Sequence, residues 1–225
     1  MHKVSAIVLA AGSGSRFGEK KQFKKLNGKP IWAYSLNTFI KSKCVDELIL
    51  VIPSDSLEEI KQSQTFIALN EKNNIKLVSG GESRNDSVIN GLKAAKIIND
   101  IICIHDAARP FIKSYYIKDS IQACREFDGA IIAIPAVDTV KKAENQIIKN
   151  TINRESLWMA QTPQTFKKEK LLHAIKISSH LNITDESMLM EEADFKIKLI
   201  EGDHSNFKIT NDMDWKLAKV IVRGE

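Results

Sequence analysis

Short apolar runs rich in β-branched residues alternate with helical patterns along the first half of this chain. Strands read as near-continuous apolar runs when both faces of their sheet are covered, so the alternation predicts an α/β fold with a mostly parallel sheet flanked by helices. The intervening helices carry the apolar stripes that this packing needs, one of them Trp32, Leu36 and Phe39. The predicted strands are Val4 to Ala11, Glu47 to Ile52, Ile75 to Ser79, Ile101 to Asp106 and Gly129 to Ala136.

The second half of the chain departs from this alternation. Residues 137 to 153 are polar and lysine-rich with a turn expected near Glu144-Asn145, which predicts a hairpin arm leaving the domain at about 137–155. An extended run then continues through Trp158. Beyond it we predict helices near Lys167 to Ser179 and Asp185 to Ala193, short strands near Lys196 to Glu201 and Phe207 to Thr210, and a last helix at Asn211 to Val222 capped by Asn211 or Thr210.

Length and composition predict a single domain, 1–225, of a cytoplasmic enzyme. An apolar content of 43% is a globular value. No window approaches the roughly 18 apolar residues of a membrane span and no signal-peptide core is evident, so a membrane partner is not expected. Three cysteines far apart in apolar patterns predict buried free thiols rather than a zinc site or disulfides; they are Cys44, Cys103 and Cys124.

A glycine-rich segment with cations follows the first predicted strand. Residues 9–18 read LAAGSGSRFG, and KKQ follows at 20–22. Glycine lets backbone N–H groups approach phosphate oxygens, and Arg16 and Lys21 supply positive charge, so the segment predicts a triphosphate cradle. Neither the Walker A spacing nor the dinucleotide-binding spacing is present. An ordinary strand-to-helix turn is the alternative for the segment taken alone.

The charge balance predicts an anionic partner. The formal net charge is +5, and five lysines are crowded between residues 20 and 29. The basic residues are not interleaved with stacking aromatic residues, and no RNA-binding or DNA-binding signature is present. Nucleic acid is therefore not the expected partner.

Two more segments end strands at the same edge of the predicted sheet, where ligands of open α/β sheets bind. In the first, GGESRNDS at 80–87, a nucleobase could be recognised, or Ser83 or Asp86 could cap a helix. In the second, Asp106 is the expected Mg²⁺ ligand, because Mg²⁺ prefers few carboxylates plus substrate phosphates; the N-cap of the next helix is its alternative. Arg109 could be a structural ion-pair partner, and His105 a packing or hydrogen-bonding residue.

The strings LAAGSGSRFG with KQ, GGESRNDSV, HDAARPF, VDTVK, NRESLW, QTPQTF, TDE and FKIT follow one another across nearly the whole chain. On these strings the chain resembles the 2-C-methyl-D-erythritol 4-phosphate cytidylyltransferase family. The resemblance implies a Rossmann-like fold of the nucleotide-diphospho-sugar transferase type with a protruding β-hairpin arm. It also implies transfer of CMP from CTP to methylerythritol phosphate, giving 4-diphosphocytidyl-2-C-methyl-D-erythritol and pyrophosphate in the non-mevalonate isoprenoid pathway.

The resemblance also implies residue roles, with Asp106 as the ligand of the cofactor Mg²⁺. The arm would cross to a partner subunit, so that a homodimer shares its active sites and Thr139 and Arg154 complete the neighbour's site. The implied catalytic residues are Arg16, Lys21, Arg154 and Lys208. The implied CTP-binding residues are Ala10, Ala11, Gly12, Gly14, Gly81, Glu82, Arg84, Ser87 and Ala107. The implied acceptor-binding residues are Arg109, Thr139, Arg154, Thr162, Thr184 and Lys208.

The sequence departs from the family pattern at a few positions. Lys20 stands where proline is common, Glu82 where a shorter aspartate also occurs, and Phe207 at a commonly aliphatic position. A ribitol-5-phosphate cytidylyltransferase is the nearest alternative, a non-catalytic nucleotide-binding regulator is an alternative from another class, and a dinucleotide oxidoreductase is disfavoured by the glycine spacing.

Overall fold

Seven strands form one sheet at the centre of the computed structural model, which describes residues 2–12, 23–177 and 183–224. The strands described are β1 (Val4–Leu9), β2 (Lys25–Leu26), β3 (Lys29–Pro30), β4 (Glu47–Ile52), β5 (Lys76–Ser79), β6 (Ile101–Asp106), β7 (Gly129–Pro135), β8 (Val140–Glu144), β9 (Ile147–Ile152), β10 (Trp158–Lys167) and β11 (Ile197–Glu201). The helices described are α1 (Ile31–Ser42), α2 (Leu57–Gln62), α3 (Gln64–Asn73), α4 (Arg84–Ala94), α5 (Ser114–Ala123), α6 (Lys168–Ile177), α7 (Glu186–Glu192) and α8 (Asp212–Gly224).

The strand order of the large sheet is β11-β7-β10-β6-β1-β4-β5. β1 pairs in parallel with β4 and β6, β4 with β5, and β7 with β11, whereas β10 runs antiparallel to both of its neighbours. The prediction of a mostly parallel Rossmann-like sheet flanked by helices is confirmed. In the part of the chain that the structure describes, none of the helices has the length and apolarity needed to cross a bilayer.

The predicted apolar stripes form the core. Trp32, Leu36 and Phe39 on α1 are completely buried and pack with β1, β4 and β6 on one face of the sheet. Val88 and Leu92 on α4 pack on the other face. Because each face buries its own apolar cluster, the strands between them are buried along their full length and mostly apolar, as β1, β4 and β6 are.

A separate hairpin occupies the segment predicted as an arm. β8 and β9 pair with each other in antiparallel fashion and form their own two-stranded sheet, with most side chains exposed. The two-residue turn between them is Asn145-Gln146, and both residues have positive φ angles of 48° and 64°. Positive φ at both central residues defines a type I′ turn, which matches the twist of a hairpin.

Two predictions about the remaining segments need correction. The strand predicted at Phe207 to Thr210 is wrong: this segment is irregular, and it is tied to the end of β6 by a 2.8 Å hydrogen bond from Ile209 N to Ala108 O. Of the two proposed caps of α8, Asn211 has the capping contact, because its side-chain oxygen accepts from Asp214 N at 3.0 Å.

The second correction concerns β10, because the predicted extended run continued only through Trp158, where β10 begins. It lies between β6 and β7 as a central strand, although it contains Pro163 and buries the polar side chains Gln161, Thr162, Gln164 and Thr165. Its register with β7 shifts between Ala160 and Gln164, and the Thr162–Pro163 peptide is cis. A bulge is one of the places where a sheet accommodates proline.

We predict that Gly129→Ala lowers the free energy of unfolding by about 1–3 kcal/mol, the usual cost of overpacking a core. A Cβ atom at Gly129 would lie 2.3 Å from the Phe166 ring and 2.9 Å from the Thr165 carbonyl oxygen. Urea unfolding of wild type and variant measures the difference. Gly224→Ala is the control, since a Cβ there meets no heavy atom within 4 Å. Equal losses in the two variants would contradict the packing argument.

Candidate active site

The carboxyl ends of β1, β5 and β6 bring three chain segments to one edge of the sheet. Past the strand ends, Ala10 N donates to Val51 O at 2.7 Å, Gly80 N to Ile52 O at 2.7 Å, and Ala107 N to Leu9 O at 2.9 Å. Ala10 and Ala107 are buried beneath this edge, and the chain continues through half-buried Ala11 to exposed Gly12. Gly14, Arg16 and Lys21 lie outside the described residues.

The second segment is the start of α4, and here the capped-helix alternative is confirmed. Ser83 and Asp86 form a capping box, in which each side chain accepts from the other residue's backbone N–H. Gly81 N donates to Ser87 Oγ at 3.1 Å, and a Cβ at Gly81 would lie 2.2 Å from that of Asp86, so this turn needs glycine. Ser87 is buried and Glu82 is exposed. Their contacts with CTP remain predictions.

Asp106 is the charge centre of the edge, because two cations contact its carboxylate. Arg84 Nε lies 3.2 Å from Oδ1, and Lys208 Nζ lies 2.6 Å from Oδ2. Burial by itself raises the pKa of a carboxyl, but Arg84 and Lys208 hold the pKa of Asp106 well below its ordinary value. The alternative role as a helix N-cap is wrong, since α5 begins only at Ser114. Arg84 and Lys208 thus both contact Asp106 directly, and the roles of the three residues toward CTP, metal and acceptor remain predictions.

Glu186 belongs to the same cluster, and the sequence analysis missed it. Its two carboxylate oxygens accept from Arg84 Nη1 at 2.6 Å and Nη2 at 3.0 Å, and its side chain is only 1% exposed. Burial raises the pKa of Glu186, although Arg84 favours the carboxylate form. The TDE string contains this residue, but an acidic residue after a helix cap is ordinary in sequence terms, so no local signal singled it out.

His105 and Thr162 hold the backbone of Asp106 from below. Asp106 N donates to Thr162 Oγ1 at 3.1 Å, Thr162 Oγ1 lies 3.0 Å from His105 Nδ1, and His105 Nε2 lies 3.1 Å from the Arg109 carbonyl oxygen. A carbonyl only accepts, so Nε2 carries the hydrogen and neutral Nδ1 accepts from the Thr162 hydroxyl. His105 is thus a hydrogen-bonding residue, as expected. Thr162 is buried by these contacts, and its acceptor-binding role remains a prediction.

Arg109 is tied to backbone carbonyls. Its Nη1 donates to Asn206 O at 2.8 Å and its Nη2 to Ala160 O at 3.4 Å, which joins the end of β6 to β10 and the segment before Lys208. Its Nε is buried and has no hydrogen-bond partner within the described chain. Burial lowers the pKa of this guanidinium. Arg109 thus bridges the end of β6, β10 and the segment before Lys208. Its role in binding the acceptor remains a prediction.

Three predicted acceptor-binding residues make no hydrogen bond to this cluster among the described residues. Thr139 and Arg154 are exposed at the base of the hairpin, where Arg154 Nη1 donates to Val137 O. Thr184 is exposed two residues before Glu186, and its hydroxyl lies 3.9 Å from Met188 Sδ. Among the described residues, no hydrogen bond connects any of the three to Asp106, Arg84 or Lys208.

The donor set at Asp106 fits a magnesium ion that is held mainly by its substrate. No group of three or more His, Cys, Asp or Glu side chains that could hold a metal occurs within residues 2–12, 23–177 and 183–224. Mg²⁺ in nucleotide sites is commonly bound by one or two carboxylates, with substrate phosphates and waters as the other ligands. Each carboxylate oxygen of Asp106 accepts one hydrogen bond and has a second lone pair available for a metal.

This fold and this edge define a Rossmann-like α/β nucleotidyltransferase. The family model of 2-C-methyl-D-erythritol 4-phosphate cytidylyltransferase, IspD, matches residues 4–224. An enzyme of that name from Geobacter metallireducens is 37% identical over 231 residues, covering 98% of this chain and 97% of the relative. A crystal structure of 4-diphosphocytidyl-2C-methyl-D-erythritol synthase from Anaerococcus prevotii matches with a TM-score of 0.85 at 32% identity, covering 99% of each chain.

The chain belongs to the 2-C-methyl-D-erythritol 4-phosphate cytidylyltransferase family, which confirms the resemblance. A bifunctional IspD/IspF enzyme from Desulfotalea psychrophila is also 37% identical over 225 residues. That match covers 99% of this chain but 58% of the bifunctional enzyme, so the chain spans little more than half of that relative's length.

We predict that His105 makes the free energy of unfolding depend on pH below neutrality. Burial lowers its pKa from 6.5 to about 4, so between these values the unfolded chain takes up a proton that the folded chain does not. Stability should therefore fall by up to about 3 kcal/mol as the pH drops through this window. Urea unfolding in EDTA at a series of pH values measures this loss of stability, and His105→Gln should remove the part of the pH dependence that is due to His105.

The control for this prediction is His173→Gln, which changes an exposed histidine. It should leave the pH dependence as in wild type. An unchanged pH dependence in His105→Gln would show that His105 is not the group responsible.

Proposed function

We propose that this chain transfers CMP from CTP to 2-C-methyl-D-erythritol 4-phosphate with Mg²⁺ as the cofactor. The observation that supports it most is Asp106, a buried carboxylate held between Arg84 and Lys208 where three strand ends converge. Nucleotides bind at this edge in open α/β sheets. The same edge holds residues that the family resemblance assigns to CTP and to the acceptor.

The chemistry needs positioning more than acid–base catalysis. A phosphate oxygen of the acceptor, already anionic, forms a bond to the α-phosphorus of CTP, and the bond from that phosphorus to the bridging oxygen breaks to release pyrophosphate. No proton has to be removed from the nucleophile, so barrier lowering comes from alignment and from stabilising charge. Lys208 can serve as a point charge for a phosphate near Asp106, and Arg154 can bind phosphate through its planar fork.

In this proposal Asp106 holds Mg²⁺ together with triphosphate oxygens. The ion supplies positive charge that offsets the charge developing on the phosphates. Arg84 stays on Oδ1 through its anchor at Glu186, so the carboxylate keeps its place when Lys208 turns to a substrate. Arg16 and Lys21 are proposed to neutralise charge on the triphosphate as the α-phosphate is attacked.

We also propose a homodimer in which each hairpin reaches the partner's active site. The hairpin and its base expose large apolar side chains that a partner would cover, namely Val137, Ile147, Ile148, Trp158 and Met159. Clustered exposed apolar residues mark interaction surfaces. Thr139 and Arg154 are exposed at the base of this hairpin, and among the described residues neither forms a hydrogen bond with the Asp106 cluster of its own chain.

A cytoplasmic location is the last part of the proposal. Within the described residues the three cysteines are free, and burial raises the pKa of Cys103 and Cys124 to about 12, so both remain thiols. Free buried thiols are typical of proteins in reducing compartments.

The reaction is tested by pyrophosphate release from CTP and Mg²⁺ with methylerythritol phosphate, ribitol 5-phosphate or no acceptor in parallel. We expect release with methylerythritol phosphate alone, and a loss of at least about 100-fold in Asp106→Asn, because Arg84 and Lys208 then lack their shared carboxylate. Preference for ribitol 5-phosphate would support that alternative enzyme. CTP binding with no release from any acceptor would support the non-catalytic regulator.

The shared active site is tested by mixing two inactive variants, Arg154→Ala and Asp106→Asn. If Arg154 completes the partner's site, each mixed dimer has one site with both wild-type residues. Random mixing should then restore about one quarter of wild-type activity, because half of the dimers are mixed and each has one intact site. The control is each variant incubated with itself. No recovery, with dimers present by sedimentation, would place Arg154 in the site of its own subunit.

A further inference from the structure

Glu186 is a buried carboxylate. Within the part of the chain that the structure describes, its ion-pair partner is Arg84. Its side chain is 1% exposed, whereas that of Arg84 is 31% exposed. A buried ion pair is by itself weak support for a stabilising role, because desolvation of the two charges offsets their attraction. The geometry here is bidentate, which fixes the plane and direction of the guanidinium as well as its position.

The guanidinium of Arg84 has N–H groups that neither Glu186 nor Asp106 uses. The guanidinium has five N–H groups. Glu186 accepts one from each terminal nitrogen, and Asp106 accepts the one on Nε. Counting contacts with the described residues, two N–H groups therefore remain, one on each terminal nitrogen, on a side chain that still reaches solvent at the edge of the site. These two groups can donate to a ligand oxygen without releasing Asp106.

Glu186 is itself fixed by the start of α7. Asp185 caps this helix by accepting from Met188 N at 3.1 Å, and its other oxygen accepts from Gln164 Nε2 at 2.7 Å. Gln164 is a buried residue of β10, next to β6 in the sheet. The chain of contacts therefore runs from the sheet through the cap to Glu186, across to Arg84 on α4, and ends at Asp106.

We propose that Glu186 is a positioning residue for CTP: it holds Arg84 against Asp106 and leaves two of the guanidinium N–H groups for the nucleotide. The inference rests on the proposed function, in which Arg84 and Asp106 serve the CTP side of the site. It assigns Glu186 no contact with a substrate. Its effect is carried entirely by Arg84.

The test uses Glu186→Gln, with Glu192→Gln as the control because Glu192 is an exposed residue of the same helix. A glutamine at 186 removes the charge and turns an NH₂ group toward one N–H of Arg84. We expect the KM for CTP to rise about 10-fold to 100-fold, the range for a lost charged hydrogen bond, while the KM for the acceptor changes less than about 2-fold. Calorimetry with CTP and Mg²⁺ but no acceptor should show the same weakening of CTP binding in the absence of turnover.

A double-mutant cycle decides whether Glu186 acts through Arg84. In an Arg84→Ala background, Glu186→Gln should weaken CTP binding no further, because the residue that it positions is gone. Independent, additive losses would overturn the proposal. So would a Glu186→Gln enzyme with wild-type CTP binding in its folded fraction, and Glu186→Asp offers a second variant if the glutamine form folds poorly.

The outcomes also separate this proposal from the function on which it rests. If wild type binds CTP but transfers no CMP, the proposed reaction is wrong. The role of Glu186 is then tested only by the double-mutant cycle on CTP binding. If wild type binds no CTP, both proposals are wrong.

Discussion

The candidate site is organised by the ion pairs that buried Asp106 forms with Arg84 and Lys208. Burying a carboxylate at the end of a buried strand costs free energy unless cations contact it. The helix α4 and the segment before α8 supply these cations, Arg84 and Lys208. With Glu186 the group contains two cations and two carboxylates and is balanced in charge. It can therefore shape a triphosphate site, but extra positive charge has to come with the metal or from the glycine-rich loop.

The parallel part of the fold could be predicted from the sequence because strands that are buried on both faces appear as near-continuous apolar runs. β4 and β6 match their predicted ranges, since Ile49, Leu50 and Ile102 are apolar on either side of the sheet. Asp106 could be placed because it is the carboxylate that ends such a run. Its partners could be named only through the family strings, since neither the helix start at Arg84 nor the irregular segment at Lys208 has a local pattern that indicates a shared site.

The parts that could not be predicted are those in which polar groups are buried. β10 contains Pro163 and buries Gln161, Gln164 and Thr165, a composition that argues against a central strand. Those side chains are satisfied by tertiary contacts far away in the chain, such as Gln164 with Asp185 at 2.7 Å and Thr165 with Ser120 at 2.8 Å. Glu186 is hidden for the same reason, because its partner is 102 residues away.

The hairpin and the catalytic edge are joined by a strand whose register is fixed on both sides. β10 begins at Trp158, after the hairpin has ended, and pairs with β7 at residues 158–160 and 164–166 and with β6 at residues 164–167. An insertion or deletion within the hairpin therefore falls outside the paired region, and it leaves the side chains that face Asp106 where they are. Thr139 and Arg154 flank the two strands of the hairpin and do not lie within them, so the tip of the arm could lengthen, shorten or change in composition while both residues and Asp106 keep their places in the chain.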